Sequence, residues 1–452
     1  MPLCAGVITK KGCDDEMRED LLRAYRERLT TAAEAVKCVR SGDNVFIGTC
    51  SSAAGDLCDA LADRKDELRD ITVSCSLVLK PLRLLQGEIE GFRLNTFFVG
   101  PQERAAIDRG QGDFTSVHLR EIPIWCHETS VPDVAFLEVS PPDENGYMSF
   151  SSSGVILHRF MADEAKTVIL EVNRRAPYVY GEKNLIHVTE ADAIVESDRP
   201  LGENRVREAD ETVQQISRII LEQIPDGACI QLGIGNVATA VGYGLFDRND
   251  LGIHSELMSD PLMELMKRGV ATNRRKTLLP GKTVVGFSSG SEELYRFLDH
   301  NEQMYYLPFP IINDMTLIGR NDDMISINTG MSADLYGAIS ADNITGRQYS
   351  GVGGQLDYVR GAQMSRRGKS IIAMTSTFVD RKGVRHSRIV PYFPPFTAVT
   401  TPRSDTQYLV TEYGCVNLKP LLMRDRIRAV ISLAHPDYRE ELTDRAREAG
   451  LL

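Results

Sequence analysis

The sequence contains no apolar run approaching the ~18 residues that a membrane span needs, so a membrane-spanning protein is excluded. It also lacks a basic excess: 52 Lys and Arg stand against 63 Asp and Glu, a formal net charge of −11. Nucleic-acid partners call for a basic face, so DNA and RNA are not expected partners. A disulfide frame is missing as well. The nine cysteines are odd in number, irregularly spaced and form no CxxC pair, which reads as a reduced, cytoplasmic set of small core residues rather than a bridged or zinc-bound one. The first 19 residues hold no apolar stretch of the kind a secretory signal requires.

What remains is a globular composition, 42% hydrophobic and 25% charged over 452 residues, enough chain for two to four domains. Short β-rich apolar runs recur at 44–48, 71–75, 134–139, 167–172, 228–232, 283–285, 304–307, 324–328, 370–374 and 408–411. Helical segments lie between several of them. Residues 210–222 place Val213, Ile216, Ile219 and Ile220 at helical spacing, and Thr30 to Glu34 resembles a capping box. Unalternated strands separated by helices predict an α/β fold with mainly parallel sheet.

The pattern starts twice. Residues 42–61 and 226–245 each read as turn, strand, small-residue loop and helix, either a duplication or ordinary βα chemistry. The polar stretch 196–204 lies between the two starts and predicts a division into domains 1–200 and 201–452.

Five constellations bear chemistry. Gly233-Ile234-Gly235-Asn236-Val237-Ala238 follows a strand and opens a helix, with Glu256 about 20 residues further on. This fits the GxGxxA dinucleotide fingerprint, in which glycines let a ligand approach the backbone and the helix N-terminus offers unpaired N–H groups. A tight βα turn without ligand has the same spelling. His254 and Glu256 share one strand face, but no PCxxC accompanies them, so a zinc deaminase is a poor fit and a solvated strand end is the plainer account.

Gly286-Phe287-Ser288-Ser289-Gly290 matches the GxSxG of a nucleophile elbow, with Asp299 and His435 following. The same run reads as a helix cap with acids in the first turn. Three glycines in four positions, Gly351, Gly353 and Gly354, precede a helical stretch, a density that suits backbone N–H donation to a phosphate or an oxyanion. Arg360, Arg366, Arg367 and Lys369 come next, readable also as a solvated basic turn. The fifth, Trp125-Cys126-His127-Glu128, reads as structural, because adjacent residues rarely point the same way.

The order of these motifs is more telling than any one of them. A Gly-Ile-Gly-Asn turn is followed by Gly-Ile-His-Ser-Glu at 252–256, Ser-Gly-Val-Gly-Gly-Gln at 350–355, Glu-Tyr-Gly at 412–414 and Ala-His-Pro-Asp at 434–437. Together with residues 132–147, this resembles the class I coenzyme A transferases of the acetyl-CoA hydrolase/transferase family, most of all its 4-hydroxybutyrate and butyryl-CoA:acetate enzymes. The resemblance runs from about residue 29 to the C-terminus.

It implies two similar α/β domains in tandem, an enzyme that moves CoA between short-chain carboxylic acids, and a glutamyl-CoA thioester formed on Glu256 in a ping-pong cycle. The turn Gln231, Leu232, Gly233, Ile234 and Gly235 would bind CoA, with Gly353 and Gly354. Met331 would line the site and Lys369 would meet a CoA phosphate. Backbone N–H groups at Asn236, Val237, Gly353 and Gly354 would form the oxyanion hole. No metal, nucleotide or redox cofactor is implied. The implied partners are acyl-CoA and carboxylic acids, and the implied assembly is a homo-oligomer. Two departures stand out: the loop 48–55 lacks the Gly-Glu-Pro-like run, and Cys415 replaces a small aliphatic residue. A hydrolase on the same fold and a serine esterase using Ser288 are the alternatives.

Overall fold

The structure, a computed structural model, describes residues 17–87, 90–204, 209–344 and 346–452. The reading of the first 19 residues and the positions of Cys4 and Cys13 lie largely outside them. The seven described cysteines are unpaired.

One sheet has seven strands: β1 (Asn44–Thr49), β2 (Ile71–Ser76), β3 (Phe92–Thr96), β4 (Gly112–Phe114), β5 (Val134–Val139), β6 (Thr167–Asn173) and β7 (Ala193–Ser197). Its order is β4-β3-β2-β1-β5-β6-β7, and every pair is parallel. A second sheet has eight: β8 (Cys229–Leu232), β9 (Gly252–Met258), β10 (Thr283–Ser288), β11 (Met304–Tyr306), β12 (Met324–Thr329), β13 (Lys369–Ala373), β16 (Tyr408–Thr411) and β17 (Gly414–Asn417). Between β13 and β16 the chain makes an antiparallel hairpin of β14 (Thr377–Val379) and β15 (Arg385–Ser387). The second sheet runs β11-β10-β9-β8-β12-β13-β16-β17, with β17 antiparallel at its edge. The fold is the α/β architecture expected from the unalternated strands.

The two orders repeat one winding scheme. In each sheet the first strand lies in the middle, the next three add on one side, and later strands add on the other. The paired starts in the sequence correspond to these two central strands. By compactness the chain divides into Met1–Arg205 with Val285–Pro310, and Val206–Val284 with Ile311–Leu452. Residues 285–310, assigned by chain position to the second half, therefore group with the first.

Burial explains why these strands read as continuous apolar runs. All six residues of β5 and of β10 are buried, as parallel strands covered on both faces must be. Val45, Ile47, Leu57, Leu61, Val73 and Phe136 belong to the core of the first unit, and Val359, Ile372, Leu409, Ile427 and Val430 to that of the second. Each such side chain contributes roughly 1.5–3 kcal/mol by leaving water.

Four helices bear on the site. Helix α1 (Gly55–Ala62) follows β1, α2 (Glu211–Leu221) precedes β8 with Asp210 as its cap, α3 (Asn236–Gly244) follows β8, and α4 (Gln355–Met364) precedes β13. The first strand of an open parallel sheet is the point where the winding reverses. Loops leaving β8 and β12 diverge there and open a crevice at the C-terminal edge.

Candidate active site

Glu256 lies near the C-terminal end of β9, next to central strand β8. It is the one position of that strand that is not fully buried. Its Oε2 accepts a hydrogen bond from Asn313 Nδ2 at 2.5 Å. Asn313 is itself fully buried, just ahead of Asp314, which caps the short helix Met315–Gly319. The Tyr358 hydroxyl, from α4, donates to the Ile312 carbonyl at 3.1 Å and ties this segment to α4.

The glycine run meets the carboxylate. Gly354 is the residue ahead of α4, and a Cβ built on it would fall 1.8 Å from Glu256 Oε2 and 2.0 Å from Asn313 Nδ2. Only glycine fits there. No side chain caps α4, so its first N–H groups and the positive end of its dipole stand beside Glu256.

The second glycine turn is at the same edge. Gly233 donates to the Ile327 carbonyl at 2.9 Å, and Gly235, with φ of 128°, precedes α3, which also has no side-chain cap. Ile234 is 44% exposed at the turn's tip. Asn236 and Val237 form the first turn of α3. Thr329, at the end of β12, places its hydroxyl 3.5 Å from where a Cβ of Gly235 would be, and that hydroxyl is buried without a partner. Met331 follows β12 on this edge. The structure thus brings Glu256, the 233–237 turn, Met331 and Gly353–Gly354 to one edge of the second sheet.

Three expected site residues behave differently. Leu232 is a buried strand residue whose backbone meets the Ser255 hydroxyl. Gln231 is buried and exchanges two 3.1 Å hydrogen bonds with the amide of Asn328, so its side chain braces β8 against β12 instead of presenting itself to a ligand. Lys369 starts β13 and therefore stands at the opposite, N-terminal edge, where its Nζ donates to the Gln223 carbonyl at 3.0 Å. It is not brought to the site. Arg360, Arg366 and Arg367 are paired with Asp405, Asp322 and Asp323. The basic run after Gly354 is a set of aspartate-bridged surface residues.

Electrostatics set the state of the site. Burial pushes the Glu256 carboxyl up to about 7, while the Asn313 amide, which favours the charged form, works against that rise. Burial holds His254 down to about 3, a neutral ring whose Nε2 meets the Ile312 carbonyl at 3.4 Å. Among the described residues no cluster of three or more His, Cys, Asp or Glu suits a metal ion.

Ser288 is not on an exposed elbow. It ends β10 fully buried, and its hydroxyl is shared with the Tyr306 hydroxyl at 2.6 Å. The helix cap in that stretch is Ser291, which accepts from the Leu294 N–H. Asn313 was invisible to sequence reasoning, since a single Asn between Ile312 and Asp314 carries no periodic or motif signal.

A polarisable carboxylate in a drying crevice, faced by two uncapped helix N-termini and two glycine turns, defines an α/β protein built for covalent acyl transfer on an acid side chain. Family models give this class its name. The model of the acetyl-CoA hydrolase/transferase N-terminal domain matches residues 13–201 and that of the C-terminal domain residues 290–446. The chain belongs to the acetyl-CoA hydrolase/transferase family.

It is 40% identical to 4-hydroxybutyrate coenzyme A transferase of Clostridium kluyveri, over 92% of this chain and 97% of that one. It is 36% identical to butyryl-CoA:acetate CoA-transferase of Anaerostipes caccae, over 94% and 97%. The crystal structure of RipA from Yersinia pestis superposes with a TM-score of 0.89 at 38% identity, covering 96% of this chain and all of that one.

Proposed function

We propose that this enzyme transfers CoA between short-chain carboxylic acids, of the acetate, butyrate and 4-hydroxybutyrate type, through a thioester on Glu256. The observation that carries the reading is the contact of Gly354 and Asn313 with one oxygen of Glu256. Asn313 occupies Oε2, which leaves Oε1 to attack the acyl thioester.

Attack at the acyl carbon expels CoA thiolate and forms a mixed anhydride, as activated as the thioester it came from. The thiolate then attacks Cδ of the glutamyl group. The acid leaves as carboxylate and Glu256 holds CoA. During that second attack the negative charge develops on Oε2, where the Asn313 amide already donates. An acceptor carboxylate reverses the steps. Backbone N–H groups at the glycine turns serve the oxyanion on the acyl carbon, where one such donor is typically worth about 10²–10³ in rate. Water must be kept from both intermediates. The steps need no metal or redox cofactor.

Hydrolysis would share the first half-reaction. Relatives named as transferases match nearly the whole chain, which favours transfer. The test is to incubate the enzyme with acetyl-CoA and no acceptor, treat with borohydride, and analyse the peptide carrying Glu256 by mass. Reduction of that peptide with loss of activity is expected, together with acid release that depends on an acceptor. Glu256→Gln should show neither adduct nor transfer. Normal transfer by that variant would overturn the reading.

A further inference from the structure

This inference rests on the reading of Glu256 as the carrier of CoA and asks which residues hold the other end of that molecule. CoA is a polyanion, with a diphosphate at the end of its pantetheine arm and a phosphate on its ribose. The basic residues that follow Gly354 do not face it, being bridged to aspartates or placed at the opposite edge. The C-terminal edge carries other cations.

Arg388 directly follows β15 and is half-buried. Its Nε donates to the Thr375 hydroxyl at 3.1 Å and its Nη1 to the Met331 carbonyl at 2.8 Å. Both partners lie just past strand ends at the edge where Glu256 sits. The two bonds fix the plane of the guanidinium and leave Nη2 without a protein acceptor. The nearby acid Glu412 acts on Arg388 only at range. Its own carboxylate accepts from the Ser376 N–H at 2.9 Å and the Ser376 hydroxyl at 2.6 Å.

The guanidinium lies 5.0 Å from the centre of the Phe378 ring, and His386 stacks on that ring at 5.2 Å. The tip of the same hairpin presents Arg381 and Lys382, both exposed. Asp380, beside them, is taken by His386 at 2.9 Å. The hairpin is therefore a cationic, aromatic-floored arm rooted at the catalytic edge.

Distance selects its ligand. Glu256 is on β9, while Met331 follows β12, two strands away, and Thr375 follows β13, three away. At about 4.8 Å per strand, Arg388 stands roughly 10–14 Å along the edge from Glu256. The far carboxylate of a four-carbon diacid would fall well short of it. The pantetheine arm, from sulfur to first phosphate, matches about four residues of extended chain, roughly 14 Å. We infer that the hairpin Thr377–Val379 to Arg385–Ser387 and the adjoining Arg388 dock the nucleotide end of CoA, with Arg388 on the diphosphate and Arg381 and Lys382 on the ribose phosphate.

The test compares acetyl-CoA with acetyl-pantetheine, which carries the same thioester and no phosphate, against one acceptor acid. Arg388→Ala should raise KM for acetyl-CoA about tenfold or more and leave kinetics with acetyl-pantetheine within about twofold. The surface pair Arg381→Glu and Lys382→Glu, which touches no packed residue, should raise KM for acetyl-CoA severalfold in the same selective way. Arg388→Gln keeps the capacity to bond Thr375 and Met331 and should reproduce the Arg388→Ala selectivity if that variant folds poorly. Equal losses on both substrates, or an unchanged KM for acetyl-CoA in all three variants, would overturn the inference. Failure of the Glu256 reading would show separately, as a wild-type enzyme that forms no adduct with acetyl-CoA.

Discussion

Replacing Gly354 by alanine is the most direct probe of how the structure holds its carboxylate. The added Cβ would lie 1.8 Å from Glu256 Oε2, against an ordinary contact of 3.4 Å or more. The carboxylate must therefore retreat by about 1.5 Å, and the Asn313 amide, 2.0 Å from the same Cβ, must retreat with it. Both obstructing atoms end rotatable side chains, and Gly354 itself has φ of −99° and ψ of 8°, a region alanine also adopts. Folding should survive with a loss of about 1 kcal/mol or less, visible as a Tm shift of a few degrees. Catalysis should not survive equally well. A misplacement of about 1 Å at the reacting atoms costs on the order of 10²-fold, close to 2.7 kcal/mol of barrier. Steady-state transfer and the rate of glutamyl adduct formation, measured alongside Tm, separate the two effects. A Gly354→Ala enzyme with wild-type Tm and wild-type transfer would refute the claim that this glycine exists to admit Glu256. A collapse of Tm by tens of degrees would refute the assignment of the cost to the reacting atoms.

Other outcomes follow from the same geometry. Because Glu256 reacts as the carboxylate and burial lifts it to about 7, kcat/KM for acyl-CoA should rise with pH through about 7 and fall roughly tenfold per unit below that limb. Asn313→Ala removes an influence that lowers this value, so its limb should shift upward; a limb left in place would contradict the contact. The linkage to stability has a definite sign. The folded value lies above the ordinary 4.5, so the contribution from protonated Glu256 is present below about 4.5 and is lost as pH rises towards 7. Glu256→Gln should flatten that part of the stability profile in chemical denaturation. Ser288→Ala should transfer CoA within about twofold of wild type and lose about 1 kcal/mol of stability through the orphaned Tyr306 hydroxyl; labelling of Ser288 by a fluorophosphonate would point to esterase chemistry instead.

The central strands and the catalytic carboxylate were legible because they are local. Residues 134–139 and 408–411 match their strands end for end, and the helix 292–298 does the same, since buried parallel strands and capped helices announce themselves in consecutive residues. Edge strands were not. Phe92–Thr96 carries Arg93 and Asn95 at partly exposed positions, and Gly112–Phe114 has only three residues, so neither forms an apolar run. The misplaced Lys369 has a different cause. Charge and proximity to Gly354 in sequence suggested a phosphate contact, but ten residues of helix carry the chain from the C-terminal edge back to the N-terminal one before β13 begins. Residues after a strand share an edge with the site, whereas residues that start the next strand do not. By that rule Arg388, which follows β13 and its hairpin, belongs with the site.

The duplicated winding raises the question of why only one half carries the carboxylate nucleophile. In the first sheet, the helix after the central strand is α1, and its N-terminal amides are already satisfied. Glu171 Oε2 accepts from the Asp56 and Leu57 N–H groups at 3.0 Å each. Glu171 is fully buried, and burial lifts its carboxyl to about 8, partly offset by the Lys80 charge. Lys80 in turn forms a buried ion pair with Glu138. The concavity that would receive an external anion is therefore filled by the protein's own acid. In the second sheet, α3 and α4 have no side chain at their N-termini, and glycines at 235 and 354 keep the approach open. The same βα scaffold is closed by a resident carboxyl in one half and left uncapped in the other. That difference, more than the fold, decides where an acyl-CoA can present its thioester to a carboxylate.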